Sequence, residues 1–245
     1  MRHTTRRQLL STTALLALTG PVGARGVSEA LPRAPSAAFP PGRVTPGPYV
    51  FFLPEEAAAV DAIVARLIPA DSMGPGALEA GCTVFIDRQL AGPYGGHDGL
   101  YMEGPFSSDP LPSQGIQSPL TPRRQYRDGL AALGTYCRAN FGGRDFAGLN
   151  PAEQDKLLSG MEKGEVALPG FDSRMLFQAV HANTMEGFFA DPIYGGNRDM
   201  IGWQLVGFPG ARYDYRDVIA NPDQPYKLPP IGLLGRPGWD RAEVP

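Results

Sequence analysis

Glycine and proline are the residues that most limit what this chain can fold into. The 245 residues contain 31 glycines and 26 prolines, which is nearly twice the usual share of a globular protein. Many of them lie between apolar segments, where they end helices and strands. Strand-like alternation is nearly absent, and no repeat of fixed period is visible. We therefore predict a mainly α fold: an irregular helical domain with long, ordered Gly/Pro-rich loops and extended tails.

Apolar residues recur at helical spacing in the segments between these interruptions. Pro54 suits a first helical position, and Asn150 and Glu153 have the spacing of a capping box. Residues 91–120 fit no regular element. The pattern predicts six helices: one from Pro54 to before Pro69, one over 75–90, one from an N-cap at Thr121 to before Gly142, one after Asn150, one from Ser173 to Phe189, and a short one from Asp199 to Val206.

The N-terminal residues have the order of an export signal. Arg6 and Arg7 precede a short apolar run, and small residues at 22–24 suit a cleavage site. Paired arginines indicate the twin-arginine (Tat) route, which carries folded proteins, often with a cofactor or partner bound; an ordinary secretory signal is the alternative. The run is shorter than the roughly 20 apolar residues that span a bilayer. We expect a periplasmic protein, held at the cytoplasmic membrane only through a partner.

Shifts in composition divide the chain. We predict a signal peptide at 1–24, a Pro-rich linker at 25–48, a helical domain at 49–215 and an extended C-terminal tail at 216–245. The formal net charge is −3, and it becomes −6 when the three arginines of the signal are removed. A mildly acidic protein is a poor candidate for binding nucleic acid or anionic lipid.

The sequence carries no convincing catalytic motif. It has no Cys-x-x-Cys-His haem site, no Gly-x-Gly-x-x-Gly after a strand and no Gly-x-Ser-x-Gly elbow. His181 fits a structural residue better than a base, and Glu186 does not share a helix face well with it. Residues 195–199 could offer N–H groups to an anion, although a tight turn fits them better. We assign this chain no catalytic, cofactor-binding or metal residues.

The two cysteines, Cys82 and Cys137, leave three alternatives open. An exported protein meets an oxidising compartment, where thiols tend to pair. A bridge between them would close a loop of about 55 residues and stabilise the fold by roughly 4 kcal/mol. A bridge from one cysteine to a partner subunit is the second alternative, and two buried, reduced thiols are the third. We expect the intrachain bridge first.

Large aromatic residues and glycines alternate without a secondary-structure period over residues 183–215. So many aromatic side chains exceed what one short turn can bury, and such surfaces are typical of stable interfaces between proteins. A loop folded over its own core explains the composition equally well. The residues predicted to contact a partner are Phe188, Phe189, Tyr194, Trp203, Phe208 and Tyr213.

The same segment resembles the hallmark of a known family. Residues 184–197 read Thr-Met-Glu-Gly-Phe-Phe-Ala-Asp-Pro-Ile-Tyr-Gly-Gly-Asn, and they are followed by Met-Ile-Gly-Trp and Gly-Phe-Pro-Gly. Segments at 65–71, 85–90 and 117–122 fit as well. Over roughly residues 50–216, the chain is similar to the gluconate 2-dehydrogenase subunit 3 family.

The resemblance implies the small, or gamma, subunit of a membrane-bound dehydrogenase. Its expected partners are a large flavoprotein subunit that carries FAD and a multihaem cytochrome c subunit. Such a complex oxidises gluconate, or a related substrate such as 2-ketogluconate, sorbitol, fructose or glucose, and passes electrons to quinone. The Tat signal would then export the folded partner. The competing classes are a self-standing periplasmic binding or stress protein and an independent enzyme with His181 as base.

Overall fold

A computed structural model describes residues 43–235, except 108, 110, 116, 213–215, 220–221 and 225–228. The predicted signal with Arg6 and Arg7, most of the predicted linker and Tyr213 lie outside the described residues. The described part is mainly helical, as predicted. Its α-helices are α1 (Pro54–Leu67), α2 (Cys82–Ala91), α3 (Pro93–Gly96), α4 (Pro122–Asn140), α5 (Pro151–Lys163), α6 (Ser173–Phe189), α7 (Ile201–Val206) and α8 (Arg216–Ile219).

Short 3₁₀ turns and one small hairpin connect these helices. The hairpin pairs β1 (Ala167–Leu168) with β2 (Phe171–Asp172) in antiparallel register. The turns are Pro112–Gln114, Phe146–Gly148, Pro192–Tyr194 and Arg198–Met200.

Helix α6 is the centre of the helical body. It packs against α1, α2, α4 and α5, and its buried side chains include Leu176, Val180 and Phe188. Burying one such side chain stabilises the fold by roughly 1.5–3 kcal/mol. Fully buried residues that share this core include Val60, Val64, Ile86, Leu90, Tyr126, Leu133 and Met161.

The start of α5 follows the predicted capping chemistry, and the start of α4 follows it only in position. Asn150 Oδ1 accepts a hydrogen bond from the Glu153 N–H at 2.9 Å, and the Glu153 carboxylate accepts one from the Asn150 N–H at 3.0 Å. This capping box satisfies two N–H groups that an uncapped helix leaves open. Thr121 occupies the predicted N-cap position of α4, but its hydroxyl makes no capping hydrogen bond.

Two predicted helices begin later than their apolar spacing indicates. The helix predicted over 75–90 starts at Cys82 because Gly81 has φ +78°, which interrupts a right-handed helix. The helix predicted from Asp199 starts at Ile201, since Asp199 and Met200 both have positive φ. The predicted irregular stretch 91–120 contains α3 and one 3₁₀ turn.

Both ends of the described chain are hydrogen-bonded to the helical body. The Asp87 carboxylate is fully buried and accepts the N–H groups of Val50, Phe51 and Phe52 at 2.8–2.9 Å. The Val44 N–H donates to the Ile193 carbonyl at 2.9 Å, so the contact begins inside the predicted linker. Part of the predicted tail, at 229–235, also returns to the body.

The returning segment pairs with the end of the aromatic-rich region. Ala211 donates its N–H to the Ile231 carbonyl at 2.6 Å, and Ile231 donates to the Pro209 carbonyl at 3.2 Å. The Asp191 carboxylate accepts the N–H of Leu233 at 2.7 Å. Among the residues that the structure describes, no helix is both long and apolar enough to cross a membrane.

Candidate functional site

The residues from Gly187 to Trp203, here called the buried turn, fold back tightly on the end of α6. A Cβ atom on Gly196 would lie 2.2 Å from the Gly187 carbonyl oxygen, and one on Gly202 would lie 2.1 Å from the Phe188 carbonyl oxygen. Real Cβ atoms do not approach backbone oxygens this closely, so both positions require glycine. The glycines therefore allow two backbone segments to touch.

Asn197 holds this turn together. Its side chain is buried, and its φ of +42° lies in the left-handed region, where asparagine is tolerated better than most residues. The side-chain oxygen accepts the Gly202 N–H at 2.8 Å, and the side-chain nitrogen donates to the Ala190 carbonyl at 2.8 Å. Residues 195–199 thus form a packed turn, in which the Arg198 N–H is already bonded to the Ala80 carbonyl at 2.9 Å.

The structure divides the predicted interface residues into two groups. Phe188 and Trp203 are buried within the chain itself, and the Trp203 indole N–H donates to the Phe189 carbonyl at 2.8 Å. The prediction that these two side chains face a partner is therefore wrong, because this chain's own backbone covers them. Phe189 is half-buried. Tyr194 and Phe208 are 36% and 46% exposed, and they remain available for contact.

A groove without charged residues in its lining lies beside the buried turn. It has a volume of about 250 Å³ and is lined by Met73, Gly74, Pro75, Ile201, Gln204 and Leu205. Met73 is 75% exposed at its edge. Val206 and Phe208 extend the exposed apolar surface along the chain, and the Phe208 ring packs edge-on against Trp203, with centroids 5.2 Å apart. The lining contains no charged residue, which is typical of the centre of an interface between proteins.

A hydrogen-bond network connects the core to the surface near the start of this segment. The Tyr126 hydroxyl donates to Asn183 Oδ1 at 2.9 Å, and Asn183 Nδ2 donates to the Glu186 carboxylate at 2.9 Å and to the Tyr94 hydroxyl at 3.1 Å. Complete burial raises the pKa of Tyr126 well above its ordinary value. Tyr126 is therefore a neutral hydrogen-bond donor that fixes Asn183.

His181 stands apart from this network. It is exposed and stacks on Phe177, with ring centroids 5.8 Å apart. Among the described residues, the Glu186 carboxylate accepts a hydrogen bond from Asn183 and none from His181. This arrangement supplies no carboxylate to orient the imidazole as a general base.

The cysteines are both free thiols in the core. The expected Cys82–Cys137 bridge is not formed, and the structure matches the third alternative. Cys82 lies at the start of α2, where its thiol donates to the Thr184 carbonyl at 3.6 Å, whereas Cys137 lies near the end of α4. Burial raises the pKa of Cys82 to about 12 and that of Cys137 to about 11. Neither sulfur lies on the described surface for a bond to a partner.

A second cavity, of about 350 Å³, lies between α1 and α4. Ion pairs at this cavity join Arg138 to Asp145, at 2.6 Å, and Arg127 to Glu56. Within the described ranges, no three His, Cys, Asp or Glu side chains form a group that could hold a metal ion.

The described residues form a helical domain with an exposed groove beside the buried turn. The family model described as Gluconate 2-dehydrogenase subunit 3 matches residues 54–210. The match begins at the first residue of α1 and ends where the chain pairs with Ile231. Because it spans more than half of the chain, this protein belongs to the gluconate 2-dehydrogenase subunit 3 family. Neither the curated proteins nor the solved structures compared with the chain give a match.

The family membership confirms the resemblance seen in the sequence, and the description of the family as a subunit suggests that the chain has partner subunits. Sequence reasoning missed the groove, because Met73 and Leu205 are separated by more than 130 positions. Each half of the groove nevertheless has a local signal. The apolar residues at 73–75 and 205–206 do not fall on the buried face of a helix.

Proposed function

We propose that this chain is the exported, non-catalytic small subunit of a periplasmic, membrane-associated, flavin-dependent gluconate 2-dehydrogenase. In the proposed complex, a large subunit carries FAD and oxidises the C2 hydroxyl of D-gluconate to the ketone of 2-dehydro-D-gluconate. The two electrons pass to a multihaem cytochrome c subunit and then to quinone. The chain supports folding of the large subunit and carries it through the Tat route.

The observation that carries this proposal is the family match over residues 54–210. The N-terminal pair Arg6-Arg7 supports the export role, since a Tat signal serves cargo that folds before export. The difference in burial between two groups of aromatic residues supports the subunit role. Phe188 and Trp203 stabilise the chain itself, whereas Tyr194, Phe208 and the groove remain exposed for a partner.

In this proposal the chain's own residues provide structure and contact, and the partners provide the redox groups. Asn197 bonds to the Ala190 carbonyl and to the Gly202 N–H, so it holds the start of α7, which carries groove residues, against the end of α6. A preformed surface loses little side-chain freedom on association, so more of the contact energy appears as affinity.

The test is purification of the tagged chain, in detergent, from the membranes of its own cells. We expect bound FAD and haem c to copurify with it, and gluconate to reduce both. A chain that purifies without flavin would contradict the subunit role. A flavoprotein complex that another sugar reduces, but gluconate does not, would contradict only the assignment of substrate.

A pair of variants separates export from assembly in the same experiment. Arg6→Lys with Arg7→Lys keeps the charge but removes the twin arginines, so the flavoprotein is expected in the cytoplasm instead of the periplasm. Arg2→Lys is the matched control, since it leaves the pair intact. Normal periplasmic levels of the flavoprotein with the double variant would disprove the escort role.

A further inference from the structure

Residues 43–53, here called the strap, lie in the sequence between the predicted export signal and α1, and they form no helix or strand. They are nevertheless fixed along their length by other parts of the chain. Near its first residue, the Val44 N–H donates to the Ile193 carbonyl at 2.9 Å. The Val44 side chain also lies so close to Gly195 that a Cβ there would be 2.7 Å from it. The strap therefore starts against the buried turn.

Asp87 holds the middle of the strap. Its carboxylate is fully buried and accepts the N–H groups of residues 50–52 at 2.8–2.9 Å. Arg88, the next residue of α2, donates to the Asp87 carboxylate and to the Pro48 carbonyl, the latter at 3.0 Å. One buried carboxylate thus satisfies three N–H groups of a segment that has no regular structure of its own to satisfy them.

Two further helices complete the attachment of the strap. The Tyr49 hydroxyl donates to the Asp61 carboxylate of α1 at 3.3 Å. The Arg127 guanidinium of α4 donates to the Phe51 carbonyl and lies 4.2 Å from the centre of the Phe51 ring. Phe52 is part of the hydrophobic core. Because α1, α2, α4 and the buried turn all contact the strap, it can close only after these elements have packed together.

An open strap would uncover apolar side chains on the N-terminal side of the body. Residues 49–53 read Tyr-Val-Phe-Phe-Leu, and in the closed strap Phe52 is buried and Phe51 is half-buried. Exposed apolar surface of this kind is typical of an incompletely folded chain. The state of the strap therefore depends on whether the body has folded, and it changes the surface of the segment that joins the signal to the body.

We propose that the strap is a folding-dependent latch that controls export of this chain. It closes only on a packed body, and an open strap keeps the chain from being exported. This inference rests on the proposed function, since the Tat route carries folded proteins. Asp87 is the residue that closes the latch, and its loss opens the strap while the rest of the body stays folded, as in other local openings of native proteins.

Amide exchange of the purified full chain tests whether Asp87 closes the strap. In Asp87→Asn, an NH₂ group replaces one carboxylate oxygen and faces an N–H donor in either orientation. Exchange at the amides of residues 50–52 is expected to become about 100-fold faster, while the Val180 amide in α6 keeps its wild-type rate. Asp128→Asn is the matched control, because it changes an exposed carboxylate that bonds to Arg124, and it should leave both rates unchanged.

Arg88→Gln is a milder variant that keeps the test decisive if Asp87→Asn does not fold. It removes a partly exposed guanidinium that bonds to Asp87 and Pro48. Exchange at residues 50–52 is expected to become about 10-fold faster. Arg124→Gln is its control, since the ion pair of Arg124 lies on the surface of α4.

Export is measured by pulse labelling of the full chain in its own cells, because the predicted signal is removed when the chain is exported. Precursors of both strap variants, Asp87→Asn and Arg88→Gln, are expected to be processed about 5-fold more slowly than the wild-type precursor. Both control variants should be processed at the wild-type rate.

Four results overturn the proposal. Strap amides that exchange as slowly in Asp87→Asn as in wild type would show that this carboxylate does not close the latch. Val180 exchange that rises with that of the strap, in both Asp87→Asn and Arg88→Gln, would make the strap part of the core. Wild-type processing of a variant whose strap is open would remove the control of export. Wild-type processing of the Arg6→Lys, Arg7→Lys chain would instead overturn the proposed Tat route and the role of the strap in it, whereas the exchange results would stand.

Discussion

The buried turn and residues 101–119, here called the arm, both connect helices and have opposite structural roles. The buried turn contains four glycines, four aromatic residues and one proline, whereas the arm contains two glycines, two aromatic residues and four prolines. In the buried turn, Asn197 and Trp203 bond to backbone groups at the end of α6. In the described part of the arm, the bonds stay local and Tyr101 faces solvent. An irregular connection that contains aromatic residues can therefore be core or surface, and the partners of its polar groups decide which.

The largest expected difference between the two regions comes from aromatic truncation. Trp203→Ala is expected to lower the free energy of unfolding by about 3–5 kcal/mol, because it empties a buried site and leaves the Phe189 carbonyl without its donor. Tyr101→Ala is expected to change it by less than about 0.5 kcal/mol, since an exposed side chain loses few contacts. Urea unfolding of the purified chain measures both. Equal losses would remove the distinction between the two regions.

Alanine in place of glycine is expected to give the next largest difference. Gly196→Ala forces a Cβ against the Gly187 carbonyl oxygen, and we expect a loss of about 3 kcal/mol in the free energy of unfolding. Gly99→Ala, just before the arm, meets open space and is strained only by its φ of +83°, so about 1 kcal/mol is expected. Thermal unfolding of the two variants tests this, and a Gly196→Ala protein as stable as wild type would contradict the close approach.

The effect that is smallest near neutral pH concerns the buried thiol that contacts α6. The pKa of Cys82 is raised from 9.0 to about 12 in the folded chain. Below pH 9 both states are protonated, so this thiol adds no pH dependence. Above pH 9 only the unfolded state ionises, and stability should fall by about 1.4 kcal/mol per pH unit until about pH 12.

Cys82→Ala is the control for this pH dependence. Urea unfolding between pH 8 and pH 11 should show a shallower decline for the variant than for wild type. Identical slopes would mean that the Cys82 thiol ionises equally readily in both states.

Local sequence signals predicted most helix starts correctly. Pro54, Pro122 and Pro151 begin helices as expected, and Asp172 caps α6 with a 2.9 Å bond to the Arg174 N–H. These signals act within one helical turn, so they can be read from neighbouring residues. The late starts of α2 and α7 could not be read in this way, since apolar spacing carries no information about a positive φ.

Tertiary contacts explain the remaining errors. Nothing local distinguishes Trp203 from Phe208, yet one is buried against α6 and the other is exposed. The prediction of a cysteine bridge relied on the redox compartment alone. The sequence does not show where Cys82 and Cys137 lie in the core. The arm was recognised only as an irregular stretch, because sequence spacing does not show which of its side chains the rest of the fold covers.

Hydrogen–deuterium exchange of the purified chain, alone and bound to its flavoprotein, tests the central claim most directly. In the chain alone, the Gly202 amide should exchange only on global unfolding, because Asn197 holds it in a buried turn, whereas the Tyr101 amide should exchange rapidly. Binding of the flavoprotein should leave the Gly202 amide as protected as it is in the chain alone. Rapid exchange at Gly202 in the chain alone, or a Tyr101 amide as protected as that of Gly202, would contradict the division into a self-contained core and an exposed connection.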